Sequence, residues 1–545
     1  MKIRLIVILS LLLLIIALTF HLNAIGLRAE EPKRAILGIE TYTTGNFIVP
    51  QIHGYPYFDK PPFYNWILAL FYGFTKSFDE WVVRLPGILS IILTALFTFL
   101  IAKKYTTCET AYFSAMAYIT SADLFFYGSV NAGEIDLFYS LVVFLQVISI
   151  FWYFERRKYL PLFLGSYLFM TVGFLTKGLP SLAFQSITLI AIAWYFKSWR
   201  FLFSWRHLAG ITLFLIVAGG YFYIYSKSND ALAYLVSISK QSSQRSFNEY
   251  SILPVLKQIV VFPVQMFKLL LPWSLLIIFL LRTNIRSTVR SNKLVEFSIL
   301  FVIGNIIIYW LSPEVRDRYL YMFLPFLSII LIYFFQQFRK LEPLKEKWIR
   351  WIFGGIMFLI LLFFIGFQFI PELTRNLTSP ILISILISFG LGSIIFLFFR
   401  LKQEFIYLFI LFIIVTRIGF NIVVLPYLHQ HSRASEYIEH VERIIAISKD
   451  APVYYTGYPL TYYPDISLAG NPIYQAEITI PPLTAFQIPY YLFKSNHKIA
   501  LYEPEPESGK FYLSYEPFSR NFDIDIYYSF DERLINQKML LFKLK

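Results

Sequence analysis

Long apolar runs recur through most of this chain, and they constrain its fold more than any other feature. A helix needs about 20 mostly apolar residues to cross the roughly 30 Å of hydrocarbon in a bilayer. The chain is 57% hydrophobic and 15% charged, whereas soluble domains carry about 25% charged residues. A soluble enzyme and a disordered chain are therefore excluded, and the single cysteine, Cys108, excludes a disulfide-stapled module.

These runs predict a mostly α-helical polytopic membrane protein with about thirteen spans. The predicted spans lie near Leu5–Phe20, Val82–Ala102, Ala111–Phe126, Ile135–Phe154, Tyr159–Thr176, Pro180–Phe196, Leu208–Tyr225, Ile259–Leu281, Leu294–Leu311, Leu320–Phe335, Trp351–Ile370, Ile381–Phe399 and Phe405–Leu425.

Lysines and arginines concentrate in alternate connections between the predicted spans, such as Arg156-Arg157-Lys158 and Arg339-Lys340. Basic loops face the cytoplasm, so these connections and the N-terminus are predicted to be cytoplasmic. Three segments then lie outside: residues 28–81, residues 226–258 and the tail after Pro426. Because this topology accounts for the net charge of +14, no nucleic-acid partner is predicted.

The tail differs in composition from the rest of the chain. Ala434, Tyr437, Val441 and Ile444 recur at helical spacing, and short strand-like pieces follow at 452–455, 498–502 and 539–542. We therefore predict two domains: a membrane domain over residues 1–426, and an extracytoplasmic soluble α/β domain over residues 427–545.

Acidic residues are scarce, and several gather in the predicted outer connections. Glu30 and Glu31 follow the first span, and Glu134 and Asp136 stand at the start of the fourth. Acids at helix N-termini also favour the helix dipole, so their position alone does not assign a function.

Several cations fall at the same level. Lys60 stands between Asp59 and Pro61, and Arg84, Lys177 and Arg318 lie near span ends. Basic pockets at headgroup height suit lipid phosphates, so these residues predict an anion site near the predicted outer surface.

At this point the sequence resembles a known glycosyltransferase superfamily, that of the bacterial lipid A aminoarabinose transferases and the protein O-mannosyltransferases. The motifs that carry the resemblance are Gly26-Leu27-Arg28-Ala29-Glu30-Glu31-Pro32-Lys33-Arg34-Ala35, Gly45-Asn46-Phe47-Ile48-Val49-Pro50, Tyr57-Phe58-Asp59-Lys60-Pro61-Pro62, Arg84-Leu85-Pro86, Gly133-Glu134-Ile135-Asp136, Thr176-Lys177-Gly178, Leu271-Pro272-Trp273 and Arg318-Tyr319-Leu320.

The resemblance implies a GT-C fold with thirteen spans in a bacterial inner membrane, with the active site in the outer loop 28–81. It also implies a polyprenyl-phosphate sugar donor, and transfer with inversion to a lipid A-like glycolipid, a protein or another extracytoplasmic acceptor. The catalytic residues it implies are Glu30, its neighbour Glu31 and Asp136. The donor-phosphate contacts predicted with it are Lys60, Arg318, Lys177, Arg245, Tyr57 and Arg84.

Two departures from the family pattern matter. Glu30 stands where the family usually has an aspartate, one methylene shorter. The lipid A subfamily associates a metal with an acid beside the lysine, here Asp59, and with a histidine in the loop after span seven. Residues 226–258 contain no histidine, so no zinc is predicted, and a divalent metal held by other ligands is left open.

Other function classes stay open from sequence alone. A transporter or flippase of a lipid-linked sugar would use intramembrane cations, and Lys268 and Arg417 are candidates. A polymerase-like or ligase-like enzyme with a diphosphate donor, and a non-catalytic membrane scaffold, are the further alternatives.

Overall fold

The computed structural model describes residues 2–127, 130–243, 252–281, 285–462, 465–468, 471–475, 478–480, 485–532 and 536–545. Within these ranges, ten helices are long and apolar enough to cross a membrane. They are Glu80–Tyr105, Ile135–Glu155, Tyr159–Lys177, Trp205–Tyr225, Ile252–Leu269, Lys293–Trp310, Asp317–Phe338, Pro343–Phe369, Pro380–Arg400 and Phe405–Gln430.

The three remaining predicted spans fall on shorter helices. These are Lys2–Thr19, Cys108–Ile119 and Pro180–Tyr195. The ten long helices and these three account for every predicted span, which confirms the mostly α-helical, multi-pass membrane fold.

Three predicted spans are interrupted in the described ranges. The ninth breaks at Ile306, between Lys293–Asn305 and Ile307–Trp310. The third breaks between Cys108–Ile119 and the short helix Ala122–Phe125, and the eighth divides into Ile252–Leu269 and the 3₁₀ segment Trp273–Leu280. Pro272, which has no N–H to donate, lies just before the second of these segments.

The first loop, residues 28–81, contains two helices, Glu31–Thr44 and Phe63–Thr75. Strands Gln51–Ile52 and Tyr55–Pro56 pair antiparallel between the two helices. A Cβ on Gly38 would lie only 2.6 Å from Leu68 Cβ, so the two helices are in close contact.

The tail folds as the predicted α/β unit. Helices Arg433–Ser448 and Gln487–Asn496 pack together, beside a four-stranded sheet in which Val453–Tyr455, Phe511–Tyr515, Gln537–Leu544 and Ile524–Glu532 follow in that spatial order. Two further hairpins pair Leu460–Tyr462 with Ile478–Ile480, and Asp465–Leu468 with Asn471–Gln475. The predicted strand at 498–502 is reduced to one bridge at Tyr502.

The α/β unit and the first loop share one apolar core. Ile36, Ile39 and Tyr64 from the loop join Ile488 and Phe493 from the tail in that core. We call the end of the helix bundle that carries these two parts the loop end. The shared core holds the first loop in a defined position there.

Gly133 sits in a contact that leaves no room for a side chain. A Cβ at this position would lie 2.7 Å from the carbonyl oxygen of Val83 and 3.0 Å from its carbonyl carbon. Because both atoms belong to the backbone of a membrane helix, they cannot rotate away.

We therefore expect Gly133→Ala to destabilise the protein by roughly 1–3 kcal/mol, which is typical of overpacking. Thermal unfolding of the detergent-purified protein would show a lower Tm. Gly390→Ala is the matched control, since nothing lies within 4 Å of its Cβ position. Equal Tm values for the two variants would contradict the packing argument.

Candidate active site

A small, strongly charged cavity opens at the loop end, with a volume of about 110 Å³. Six cations and four carboxylates line it, together with Tyr57, Ile135 and Tyr319. The cations are Lys33, Arg34, Lys60, Lys177, Arg316 and Arg318, and the carboxylates are Glu30, Asp59, Glu134 and Asp136. The excess of two positive charges suits an anion such as a phosphate.

The cavity forms where helix ends converge. Glu30 caps helix Glu31–Thr44, and Glu134 caps Ile135–Glu155. Lys177 is the last residue of Tyr159–Lys177. Since charges at helix termini stay close to the bundle surface, one small volume collects side chains from distant parts of the sequence.

Glu30 is the most accessible of the three carboxylates that the resemblance implies to be catalytic. Its side chain is 41% exposed, and its Oε2 lies 3.8 Å from Arg34 Nη2. Burial raises the pKa of Glu30, but Arg34, Lys33 and Arg318 outweigh that effect and hold the pKa below its ordinary value. The side chain is therefore an ionised carboxylate at neutral pH.

A second group of charges in the cavity is formed by Asp136, Lys177, Arg318 and Glu134. Asp136 makes an ion pair with Lys177 and a second with Arg318, whose Nε lies 3.1 Å from Asp136 Oδ2. Arg318 also donates through Nη1 to Glu134 Oε1 at 2.5 Å. Burial and the charge of Asp136 raise the pKa of Glu134 to about 7, against the opposing effect of Arg318.

The first loop supplies a third group. Lys33 Nζ lies 3.0 Å from Asp59 Oδ2 and 5.2 Å from the centre of the Tyr57 ring. Burial raises the pKa of Asp59, but Lys33 more than compensates, so the pKa is lowered. The hydroxyl of Tyr234 donates to the Lys60 carbonyl at 2.6 Å, which fixes the backbone from which the Lys60 side chain reaches the cavity.

Glu31 and Arg84 are not brought to the cavity. Both side chains are fully buried, and Arg84 Nε lies 2.9 Å from Glu31 Oε1. Glu31 also accepts from the N–H of Gly133 at 2.6 Å and from the N–H of Arg28 at 3.0 Å. The structure therefore does not support a catalytic role for Glu31 or a phosphate contact for Arg84. Their buried contacts fit a role in positioning the neighbouring residues.

The structure brings the remaining described predictions together. Glu30, Asp136, Lys60, Arg318, Lys177 and Tyr57 all line the cavity. Arg245 lies outside the described residues.

Sequence reasoning missed four residues of the cavity wall. These are Lys33, Arg34, Arg316 and Tyr319. The spacing of Lys33 and Arg34 from Glu30, at three and four residues, is the helical signal that points them to the same side. For Arg316 and Tyr319, the signal is their place beside Arg318.

The cavity does not fit a metal ion. Asp59, the acid that the resemblance associates with a metal, is paired with Lys33. In the described ranges, no three His, Cys, Asp or Glu side chains are grouped so that they hold a metal. No step of the chemistry is therefore assigned to one.

The two adjacent acids allow a matched test of these assignments. Glu31→Ala leaves Arg84 buried without its partner, and breaking a buried ion pair costs about 3–5 kcal/mol. We expect a large fall in Tm or in the yield of folded protein for Glu31→Ala. Glu30→Ala should unfold near the wild-type temperature, because its side chain is 41% exposed. Similar losses from both variants would contradict the division of roles.

Comparison with known protein families and sequences supports the resemblance to aminoarabinose transferases and protein mannosyltransferases. The family model described as dolichyl-phosphate-mannose-protein mannosyltransferase matches residues 59–222. An undecaprenyl phosphate-α-4-amino-4-deoxy-L-arabinose arabinosyl transferase of Proteus mirabilis is 26% identical over 216 residues, covering 38% of this chain and 37% of the relative. A transferase of the same name from Edwardsiella ictaluri is 26% identical over 199 residues, covering 34% of each chain. The aligned part of the chain thus spans about a third of these relatives.

The fold comparison extends over the whole chain. Crystal structures of ArnT from Cupriavidus metallidurans, bound to undecaprenyl phosphate and in the apo state, each superpose with a TM-score of 0.68. In each case the identity is 14%, and 98% of this chain and 97% of the other are covered. The chain thus has the fold of ArnT, and its resemblance to the GT-C glycosyltransferase superfamily of aminoarabinose transferases and protein mannosyltransferases is confirmed.

Proposed function

We propose that this protein is an integral-membrane glycosyltransferase that moves a sugar from a polyprenyl-phosphate donor to an extracytoplasmic acceptor. The observation that carries the proposal is the cation-rich cavity with an accessible, ionised Glu30 on its wall. The similarity to arabinosyl transferases named for undecaprenyl phosphate supports the donor class.

The cations of the cavity are assigned to the donor phosphate. Lys60 and Arg318 provide charged donors, and Lys33 and Arg34 add to the positive field of the cavity. When the bond between the anomeric carbon and the phosphate oxygen breaks, negative charge grows on the departing polyprenyl phosphate. Fixed cations in a partly dehydrated site stabilise that charge strongly.

Glu30 is assigned to the acceptor. If the acceptor is a hydroxyl, its oxygen attacks the anomeric carbon from the face opposite the phosphate, and its proton passes to the Glu30 carboxylate. The product then has an inverted anomeric centre. If the acceptor is an already ionised phosphate, Glu30 orients it and takes no proton. The Arg34 and Lys33 charges keep Glu30 in the basic form that the first case needs.

The proposal includes a location and an orientation. The basic connections, the place of the charged cavity at the loop end and the position of the tail fit a bacterial inner membrane with the N-terminus in the cytoplasm. The loop end then faces the periplasm, with residues 1–426 forming the catalytic membrane domain and 427–545 the soluble domain. A lipid A-like glycolipid is the acceptor class that the family resemblance of the sequence motifs favours, and a protein acceptor is the alternative.

Two variants should affect donor binding and sugar transfer differently. Lys60→Ala removes a charged contact worth about 1.5–3 kcal/mol, so we expect the affinity for a short-chain polyprenyl phosphate to fall by roughly 10- to 100-fold. Glu30→Gln should keep that affinity and lose transfer by about 10²- to 10⁴-fold, the usual contribution of a general base. Binding is measured on the purified protein in nanodiscs.

Lys76→Ala is the matched control, because Lys76 belongs to the same outer loop and is not among the residues that line the cavity. A folded wild-type protein that binds no polyprenyl phosphate would overturn the donor assignment and favour transport. Equal donor affinity in Lys60→Ala and wild type would remove Lys60 from the site.

Donor binding should also depend on Glu134. Above pH 7 the Glu134 side chain is ionised and forms an ion pair with Arg318. Below pH 7 it is protonated, so its negative charge and the ion pair with Arg318 are both lost. Phosphate binding should therefore tighten as pH falls from 8.5 to 6.5, by up to about tenfold per pH unit for one coupled proton. Glu134→Gln should bind more tightly at pH 8.5 and show a flatter profile. An unchanged profile would exclude Glu134 as the titrating group.

A further inference from the structure

Arg417 is a buried cation that the reaction proposed above does not use. It lies in helix Phe405–Gln430 and is 0% exposed. Its Nη2 donates to Asn131 Oδ1 at 3.0 Å, while Nε and Nη1 have no hydrogen-bond partner in the part of the chain that the structure describes. Among the described side chains, no carboxylate forms an ion pair with it. Burying a charge with its donors unsatisfied costs several kcal/mol, so this position calls for an anion.

The surroundings of Arg417 do not provide that anion. Its guanidinium carbon lies 5.2–5.9 Å from the ring centres of Phe125, Phe126 and Phe420. These rings give partial compensation through their π-faces. The positive charge of Arg28 repels that of Arg417. An anion close to both arginines would relieve that repulsion.

A large apolar cavity adjoins the arginine. It has a volume of about 630 Å³, and Phe126 and Phe420 belong to both its wall and the ring cluster around Arg417. Thr416, next to Arg417 in sequence, contributes a buried hydroxyl that has no hydrogen-bond partner among the described residues. Leu359, another wall residue, is 67% exposed, so the cavity is open to the lipid side of the bundle.

An apolar cavity beside an unpaired cation matches one kind of ligand, an amphiphile with an anionic headgroup. Acyl chains enter an apolar cavity that opens to the bilayer, and a phosphate satisfies the guanidinium. The position also suits a substrate. Asn131, the partner of Arg417, lies three residues before Glu134 of the charged cavity, and three extended residues span about 10 Å. A glycolipid headgroup is long enough to cover that distance.

We propose that Arg417, with Asn131 and Arg28, binds the phosphate of a second anionic lipid, whose acyl chains occupy the cavity beside Phe126 and Phe420. Resting on the proposed transferase function, this lipid is the sugar acceptor. The donor phosphate and the acceptor phosphate then occupy separate cation sites on either side of Glu134.

The test compares two lipids on purified full-length protein by native mass spectrometry. Dioleoyl phosphatidic acid is the anionic probe, and dioleoyl phosphatidylcholine is the lipid of equal chain length without net charge. Wild type should prefer phosphatidic acid, and Arg417→Gln should bind it at least tenfold more weakly. Arg417→Lys should recover part of the affinity, because it keeps the charge.

Two further variants control the result. Lys268→Gln removes another membrane-helix cation, one already paired with Asp317 at 2.6 Å, and should leave the preference unchanged. Val424→Trp fills the apolar cavity without touching the guanidinium, and should weaken phosphatidic acid binding too. This second variant decides the question if Arg417→Gln does not fold.

Binding of a short-chain polyprenyl phosphate is measured on the same variants. Arg417→Gln should keep it, and Lys60→Ala should lose it while still binding phosphatidic acid. Wild type that does not prefer phosphatidic acid overturns the site, as does unchanged affinity in Val424→Trp. Inorganic phosphate that competes as strongly as phosphatidic acid excludes a lipid occupant. If folded Arg417→Gln loses binding of both phosphatidic acid and polyprenyl phosphate, Arg417 has a structural role only and the lipid site is overturned. If polyprenyl phosphate alone fails to bind, the donor proposal falls and the lipid site stands.

Discussion

The buried ion pair between Glu31 and Arg84 is the interaction on which the rest of the site depends. Arg84 belongs to the second span, and it also donates to the carbonyls of Leu22, Ile25 and Gly26 at the end of the first. Glu31 accepts the N–H of Gly133 from the connection before the fourth span. Three segments far apart in sequence therefore meet at one pair of charges. Both oxygens of the Glu31 carboxylate accept hydrogen bonds. These bonds offset the free-energy cost of removing the two charges from water.

In the proposed reaction, the Glu31–Arg84 pair positions the reacting groups and takes no part in the chemistry. Glu30 precedes Glu31, so fixing the buried residue also fixes where its exposed neighbour points. The bond to Gly133 likewise sets the position of Glu134 and Asp136, which follow directly in sequence. Preorganised charges cost little reorganisation when a reaction develops charge, and a site built at helix ends gains that rigidity from the bundle.

The soluble unit contributes to the same rigidity. The backbone N–H of Leu27 donates to the hydroxyl oxygen of Tyr491 at 2.9 Å. His53 Nδ1 lies 2.7 Å from the carbonyl of Ala500, and Lys494 pairs with Glu80 at 2.6 Å. The first loop is thus held between the membrane helices and the tail. A loop of this length on a membrane surface would otherwise lose much of its order to chain entropy.

The amino-acid sequence by itself determined the helix bundle, since an apolar run of span length has no other stable arrangement in a bilayer. It also placed Lys60, Lys177, Asp136 and Arg318 at a common level, because residues at span ends share the membrane surface. Only the tertiary structure decided between Glu30 and Glu31. The two side chains point about 100° apart around a helix, and the choice depends on Arg84 and Gly133, whose contacts with Glu31 no local pattern encodes. The same reason explains Arg417: its charge is visible in the sequence, but its unsatisfied donors and the adjoining cavity exist only after distant helices have packed.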